Sequence, residues 1–219
     1  MFCSGFHYGA VTGMDVALQR PLLVTCSQQD ASVRIWNYIA MKCELAKKLY
    51  VVDKDAMDFV GESMSKPLLS VAFHPSGYYL AIGFIDKVRI FHVLYDELRF
   101  YKEINVRNAT LLKFSNGGQY LACGSGKTVY IYTTYSLELV TTLKHHINNV
   151  TDMAWFKKDL SFCTIGTDGK YNEYGTNTFE LENSWEASQN TTFSSVFLSH
   201  NHALVYGEDG DNCHLFEQP

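Results

Sequence analysis

The stretch "LLVTCSQQDASVRIWNY" (residues 22–38) decides the fold, because it joins two β-rich runs through a short polar turn. The runs 22–26 and 33–36 consist mainly of branched and aromatic residues, which favour extended strands. The segment between them contains Asp30, and an Asp side chain bonds its own backbone in turns. The pattern predicts a β-hairpin whose second strand ends at Trp36.

Two series of aromatic residues recur along the chain with the same period. Members of the first series, which also includes Trp36, end the runs "VRIF", "VYIY", "YNEY" and "HLF" at Phe91, Tyr132, Tyr174 and Phe216, in steps of 41, 42 and 42 residues. Members of the second series close or nearly close the runs "LLSVAF", "ATLLKF", "VTDMAW" and "FSSVFL" at Phe73, Phe114, Trp155 and Phe197, in steps of 41, 41 and 42 residues. Self-similarity at a fixed period predicts a repeat architecture.

Each repeat is predicted to contain short strands separated by tight turns. The turn sequences "HPSG", "SNGG" and "TDG" contain Gly, which permits positive φ, beside Asn, Asp or Ser. All-β repeats of about 40 residues with four strands are typical of a β-propeller, which packs such units as blades. We therefore expect an all-β propeller of about five blades, at 7–67 (with an insertion at 40–67), 68–108, 109–147, 148–190 and 191–219.

The first repeat resembles the WD-repeat family. In that family a His before the first strand, a Ser or Thr on the second strand, an Asp in the next turn and a Trp on the third strand form a hydrogen-bonded network. The resemblance assigns these places to His7, Thr25, Asp30 and Trp36. Asn37 stands where the family usually has Asp after the Trp.

The later repeats keep this pattern to different degrees. The fourth repeat matches with His146, Thr164, Asp168 and Tyr174, where Tyr replaces Trp. The second keeps Asp86 in a turn that is one residue shorter, and the third has no turn acid. The fifth offers Asp209 or Asp211. The resemblance therefore implies complete structural networks in the first and fourth repeats.

A narrower resemblance covers roughly residues 5–175. The strings "SVAFHPSGYYLAIGFIDKVRIFHVLYDELRFYKEI" and "FSNGGQYLACGSGKTVYIYTT" are similar to cilia- and flagella-associated WD-repeat proteins at the base of inner dynein arms. This implies a cytoplasmic, non-catalytic scaffold or docking protein of the ciliary or flagellar axoneme. Its partners would be inner dynein arm components and other ciliary scaffold proteins. A WD-repeat adaptor in another cytoplasmic complex is the alternative.

The number of blades leaves two arrangements open. Propellers of the resembled group normally have seven blades, whereas this chain has five repeats and the last one stops after its third strand. Five blades can close a ring, with residues before His7 pairing with the last blade. The other arrangement is an incomplete ring of a seven-bladed design, with two blades missing or supplied by another chain.

Composition argues against several classes of function. The net charge is −5 and no basic stripe is present, so we expect no nucleic-acid partner. No apolar run approaches the ~20 residues of a membrane helix, and the N-terminus lacks the pattern of a signal peptide. No two of the six cysteines are separated by only two residues, so neither a zinc site nor a redox pair is indicated. We expect no cofactor, no metal and no catalytic residue.

The segment 124–128, "GSGKT", resembles the end of a phosphate-binding loop. That motif needs another Gly five residues before the Gly-Lys pair, where this chain has Leu121, and a helix after the Lys. Here "TVYIYTT" follows, which favours a strand. We interpret 124–127 as a hairpin turn, and a nucleotide-binding enzyme using 124–128 is a minor alternative.

One interval is longer than the others. Trp36 and Phe91 are 55 residues apart, so about 14 extra residues fall within 40–67. Part of it, "AMKCELAKKLY" (40–50), is the one stretch with some helical periodicity. The insertion either has no role or forms a partner-contacting loop or short helix. Its candidate contact residues are Lys47, Lys48, Tyr50, Met57 and Phe59.

Overall fold

The computed structural model describes residues 6–49, 67–187, 191–199, 202–209 and 212–217. These residues form nineteen β-strands in five antiparallel sheets. A three-residue 3-10 helix, Lys157–Asp159, is the one helix in these ranges. The all-β fold of WD-type propeller blades predicted from the repeats is confirmed.

Each sheet pairs strands in the order in which the chain supplies them. The first sheet contains β1 (Val11–Val16), β2 (Leu22–Ser27), β3 (Ser32–Asn37) and β4 (Lys42–Lys48). The second contains β5 (Leu68–Phe73), β6 (Tyr79–Phe84), β7 (Val88–Val93) and β8 (Leu98–Ile104). The third contains β9 (Leu111–Phe114), β10 (Tyr120–Ser125), β11 (Thr128–Thr133) and β12 (Leu139–Leu143).

The fourth sheet contains β13 (Val150–Trp155), β14 (Ser161–Gly166), β15 (Lys170–Gly175) and β16 (Leu181–Glu186). The fifth has three strands among the described residues: β17 (Thr192–Ser199), β18 (His202–Asp209) and β19 (Asn212–Glu217). Gly77 and Gly118 have φ of 73° and 75° in the "HPSG" and "SNGG" turns. Glycine adopts this left-handed backbone without steric penalty, so it allows the chain to reverse direction between the first and second strands of the second and third sheets.

The chain divides into two compact units, Met1–Leu112 (unit 1) and Lys113–Pro219 (unit 2). In unit 1 the apolar core lies between the first two sheets and includes Val24, Val33, Ile35, Leu80, Ile82 and Phe84, each at most 2% exposed. In unit 2 a core between the fourth and fifth sheets includes Ile165, Tyr171, Phe193, Ala203 and Val205, all fully buried. Burial of the inward side of β-branched and aromatic runs is what holds neighbouring sheets together.

Polar bridges join the inner strands of neighbouring sheets in unit 1. Thr12 Oγ1 donates to the Leu68 carbonyl oxygen at 3.0 Å, and the Phe73 N–H donates to Asp15 Oδ2 at 2.8 Å. The strands approach closely at Gly13, where a Cβ would lie 3.0 Å from Val71 N. These bonds satisfy backbone groups that would otherwise be unpaired between the sheets.

Unit 2 uses the same two kinds of bridge. Thr151 Oγ1 donates to the Phe193 carbonyl oxygen at 2.6 Å, and the Val196 N–H donates to Asp152 Oδ2 at 3.0 Å. Burial raises the pKa of Asp152 despite the backbone N–H groups that it accepts. Since the bridged residues lie more than forty positions apart, the pairing depends on the packing of neighbouring blades.

The structure corrects the interpretation of residues 40–50 as a short helix or loop. Residues 42–48 form β4, the outer strand of the first sheet, and their exposure alternates along the strand. Lys47 and Lys48 therefore belong to the blade, and Lys47 Nζ donates to the Leu98 carbonyl oxygen at 3.1 Å. Cys43, Leu45 and Lys47 are the less exposed side chains of this segment, and their spacing of two residues is the alternation expected of a β-strand. The other candidate residues, Tyr50, Met57 and Phe59, lie outside the described residues.

Candidate functional site

The structure brings together the four residues that the WD pattern assigns in the first blade. His7 precedes β1, and its Nδ1 lies 2.8 Å from Asp30 Oδ2 in the turn between β2 and β3. His7 Nε2 lies 2.9 Å from Thr25 Oγ1, which accepts the Trp36 indole N–H at 2.9 Å. All four residues are hydrogen-bonded when His7 carries its proton on Nδ1. The Trp36 indole N–H then donates to the Thr25 hydroxyl, the Thr25 hydroxyl donates to His7 Nε2, and His7 Nδ1–H donates to the Asp30 carboxylate.

The carboxylate of this network stays ionised although Asp30 is only 4% exposed. Burial opposes the charge, but hydrogen bonds from His7 and Ser32 outweigh it and hold the pKa of Asp30 below its ordinary value. Ser32, whose Oγ lies 3.2 Å from His7 Nδ1, was not identified from the sequence. Its place at the start of β3, directly after the turn, is the signal that could have found it.

An equivalent network lies in the fourth blade, within unit 2. His146 Nδ1 lies 3.0 Å from Asp168 Oδ1, and His146 Nε2 lies 2.8 Å from Thr164 Oγ1. The Ile147 N–H donates to Asp168 Oδ2 at 2.9 Å. The carboxylate thus ties the loop before β13 to the turn between β14 and β15.

Electrostatics of the second network favour a neutral imidazole beside a charged carboxylate. Burial lowers the pKa of His146 by more than the nearby Asp168 raises it. Burial also opposes the charge of Asp168, but hydrogen bonds from the Ile147 N–H and from His146 hold its pKa below the ordinary value. His146 is 5% exposed and Thr164 is fully buried, so the imidazole and the hydroxyl of this network are closed off from solvent.

The fourth blade differs from the first at the aromatic position. Tyr174 is fully buried, and its hydroxyl lies 3.2 Å from His145 Nδ1. Burial raises the pKa of Tyr174 to about 12. Asn172, which is paired with Thr164 across the strands, places Nδ2 3.1 Å from His146 Nε2. Asn172 was not identified from the sequence, although a polar residue at a buried strand position indicates that it has a hydrogen-bond partner.

The other acids that the sequence assigned to turns are Asp86 in the second blade and Asp209 or Asp211 in the fifth. Asp86 lies in the turn between β6 and β7, while the segment before β5 lies outside the described residues. Asp209 ends β18, and Asp211 lies outside the described residues. The structural assignment of Asp86 and the choice between Asp209 and Asp211 therefore stay predictions.

The "GSGKT" segment forms part of a hairpin. Gly124 lies within β10 opposite Val129, so its assignment to the turn is corrected. Gly126 has a φ of 58° in the two-residue connection to β11, and Lys127 is exposed. A strand follows the Lys where a phosphate-binding loop requires a helix N-terminus.

Three cysteines occupy the second strands of their blades. Cys26, Cys123 and Cys163 are fully buried. Burial raises the pKa of Cys26 to about 11, that of Cys163 to about 12 and that of Cys123 further still. Because the thiolate is the reactive form, these side chains act as small apolar residues.

The described ranges contain neither a metal-binding cluster nor a membrane-spanning helix. No group of three His, Cys, Asp or Glu side chains in these ranges is placed to hold a metal ion. No helix among the described residues is long and apolar enough to span a membrane.

Comparisons with known proteins agree with blades of the WD type. The family "WD domain, G-beta repeat" matches residues 3–37, which contain the whole first network. Cilia- and flagella-associated protein 57 of Mus musculus is 33% identical over 205 residues, which are 94% of this chain and 15% of that protein. Cilia- and flagella-associated protein 57 A of Tetrahymena thermophila is 32% identical over 165 residues, covering 75% of this chain and 12% of that protein.

Echinoderm microtubule-associated protein-like 2 of Mus musculus is a more distant relative, 24% identical over 247 residues and covering 97% of this chain and 35% of that protein.

The chain belongs to the WD-repeat proteins. Within that class it is similar to the cilia- and flagella-associated proteins, which confirms the narrower resemblance and supports a ciliary or flagellar location. The chain spans less than a sixth of the length of the first two relatives.

Proposed function

We propose that this chain is a non-catalytic scaffold or docking component of the ciliary axoneme, contributing to the assembly or regulation of inner dynein arms and so to motility. The observation that carries this proposal is the 33% identity over 205 residues to a relative named for cilia and flagella. Under this proposal the partners are inner dynein arm components and other ciliary scaffold proteins, with no nucleic acid and no membrane. The five sheets are then consecutive blades of one partial WD-repeat propeller.

The second network gives unit 2 a rigid surface for docking. Ile147 is 67% exposed, yet its N–H is fixed to the buried carboxylate of Asp168 at 2.9 Å. Beside it an open cleft of about 460 Å³ is lined by Asn148, Thr167, Lys170 and Glu186, among others. Loops held on a rigid scaffold are where binding residues are concentrated. An apolar anchor ringed by polar side chains is the arrangement found in protein interfaces.

Binding of the purified chain to isolated axonemes tests this proposal. We expect the chain to co-sediment with detergent-demembranated axonemes that retain their dynein arms and to crosslink there to inner dynein arm components. Ile147→Glu should weaken the binding at least about tenfold, the effect of losing a central apolar anchor. Leu160→Glu is the matched control, because Leu160 is also 67% exposed but lies in the turn at the other end of the same blade.

Three results would contradict the proposal or the placement of its docking surface. Absence of co-sedimentation with axonemes would remove the docking role. Crosslinks formed in a whole-cell lysate and confined to proteins outside the axoneme would favour an adaptor of another cytoplasmic complex. Equal loss of binding in Ile147→Glu and Leu160→Glu would contradict the placement of the docking surface beside the second network.

A further inference from the structure

Unit 1 exposes six large apolar side chains on four turns, which we call the apolar turn patch. Its members are Leu18, Tyr38, Ile39, Met41, Tyr78 and Tyr95, and their exposure ranges from 49% for Tyr38 to 92% for Tyr95. They lie in the turns β1–β2, β3–β4, β5–β6 and β7–β8. Turns usually present polar residues to water, so this composition needs an explanation.

The four turns lie at one end of the first two sheets. Consecutive antiparallel strands place the first and third turns of each sheet at the same end. The two sheets are joined there, since the Gln19 N–H donates to the Pro75 carbonyl oxygen at 3.0 Å. Arg20 Nη1 donates to the Gly77 carbonyl oxygen at 3.3 Å, and its guanidinium lies 5.1 Å from the centre of the Tyr78 ring. The six side chains therefore belong to one surface.

The corresponding turns of the third and fourth blades, which the structure describes in full, do not repeat this composition. Those turns expose Asn116, Lys157, Lys158, Asn177 and Thr178, with Tyr135 and Leu160 as their large exposed apolar residues. The WD fold can thus be built with polar turns at this end. The apolar turn patch is a property of unit 1 rather than a requirement of the blades.

A groove beside the apolar turn patch shares Tyr95 with it and carries charges of both signs. It has a volume of about 280 Å³ and is lined by Lys42, Cys43, Glu44, Leu45, Tyr95 and Asp96. Lys42 and Asp96 are both exposed, whereas Glu44, the second acid of the groove, accepts a hydrogen bond from Asn37 Nδ2 at 2.9 Å within its own chain. A surface that carries its own opposite charge beside apolar anchors is self-complementary under a two-fold rotation, because Lys42 of each copy can meet Asp96 of the other. Interfaces between identical chains are also the more apolar class, with Tyr and Met enriched.

We propose that the apolar turn patch is the interface at which this chain forms a two-fold dimer with a second copy. Each copy contributes the same six apolar side chains, and the groove of each copy aligns the pair through Lys42 and Asp96. This dimer is independent of the docking surface in unit 2, so either could exist without the other.

Sedimentation equilibrium of the purified chain across micromolar concentrations tests the dimer. We expect the mass to rise with concentration from 24.9 kDa towards twice that value. The double variant Ile39→Glu with Tyr95→Glu should stay monomeric, since four carboxylates would meet in each dimer. Met14→Glu is the matched control, because Met14 is 63% exposed in the same unit but lies on β1, outside the patch.

A charge exchange tests the two-fold arrangement itself. Lys42→Glu alone and Asp96→Lys alone should each weaken dimerisation about tenfold, because each variant brings like charges together twice. An equal mixture of the two variants should restore association, since every facing pair is again of opposite sign. A single mass of 24.9 kDa at every concentration would overturn the dimer. Association lost in Met14→Glu but kept in the patch variants would overturn its location.

Discussion

Replacing Asp168 with alanine removes the acceptor that ties two segments of the fourth blade together. Asp168 accepts hydrogen bonds from His146 Nδ1 at 3.0 Å, the Ile147 N–H at 2.9 Å and the Lys170 N–H at 3.3 Å. His146 is 5% exposed, so its donor has no ready access to water, whereas Ile147 is exposed. One buried donor left unpaired costs about 1–3 kcal/mol, and the exposed backbone donors add little. We therefore expect Asp168→Ala to destabilise unit 2 by about 1–3 kcal/mol.

Amide hydrogen exchange followed by mass spectrometry measures this loss separately in each unit. Exchange should accelerate in peptides from β13 to β15, and peptides from unit 1 should be unchanged. Asp168→Asn retains one acceptor oxygen and should lose less stability than Asp168→Ala. Glu180→Ala, in an exposed turn of the same blade, is the surface control and should change stability by less than about 0.5 kcal/mol. A change within about 0.3 kcal/mol for Asp168→Ala would refute the structural role of the network.

Three further predictions concern pH, blade packing and the hairpin. The pKa values of His146 and Asp168 are both lower in the folded chain than their ordinary values of 6.5 and 3.8. Unit 2 should therefore lose stability as the pH falls below 6.5 and again as it falls below 3.8. Chemical denaturation measures this loss, and a free energy of unfolding that stays constant across both pH ranges would contradict the prediction. Gly13→Ala would place a Cβ 3.0 Å from Val71 N and should destabilise unit 1 by about 1–3 kcal/mol, whereas unaltered exchange in β1 and β5 would contradict the close approach. Lys127→Ala should leave calorimetric titrations with ATP unchanged, and ATP binding that depends on Lys127 would contradict the hairpin.

The period of the aromatic residues predicted most of the fold, because a repeated blade leaves a repeated signal in one sequence. The networks were visible for the same reason: His7 and His146 each stand four residues before the first residue of an inner strand. The side-chain contacts within a network differ more from blade to blade than the strand pattern does. Tyr174 occupies the position of Trp36, and its hydroxyl hydrogen-bonds Thr164 as the indole hydrogen-bonds Thr25. The hydroxyl also lies 3.2 Å from His145 Nδ1, whereas the first blade packs Phe6 against Trp36.

Contacts between blades were not predictable from the sequence. Asp15 accepts the N–H of Phe73, and Thr12 donates to the carbonyl of Leu68, and neither pair has a local sequence pattern. Such pairs depend on how closely neighbouring sheets pack. Residues 42–48 were misjudged because a short run of mixed Lys, Glu and apolar residues fits either a helix or an edge strand.

A tagged copy of the chain in ciliated cells gives the most direct measurement of the axonemal role. After the membrane is removed with detergent, we predict that the tag stays with the axoneme and lies at the base of the inner dynein arms in averaged images. A tag that washes out with the soluble fraction and spreads uniformly through the cell body would contradict a scaffold of the axoneme.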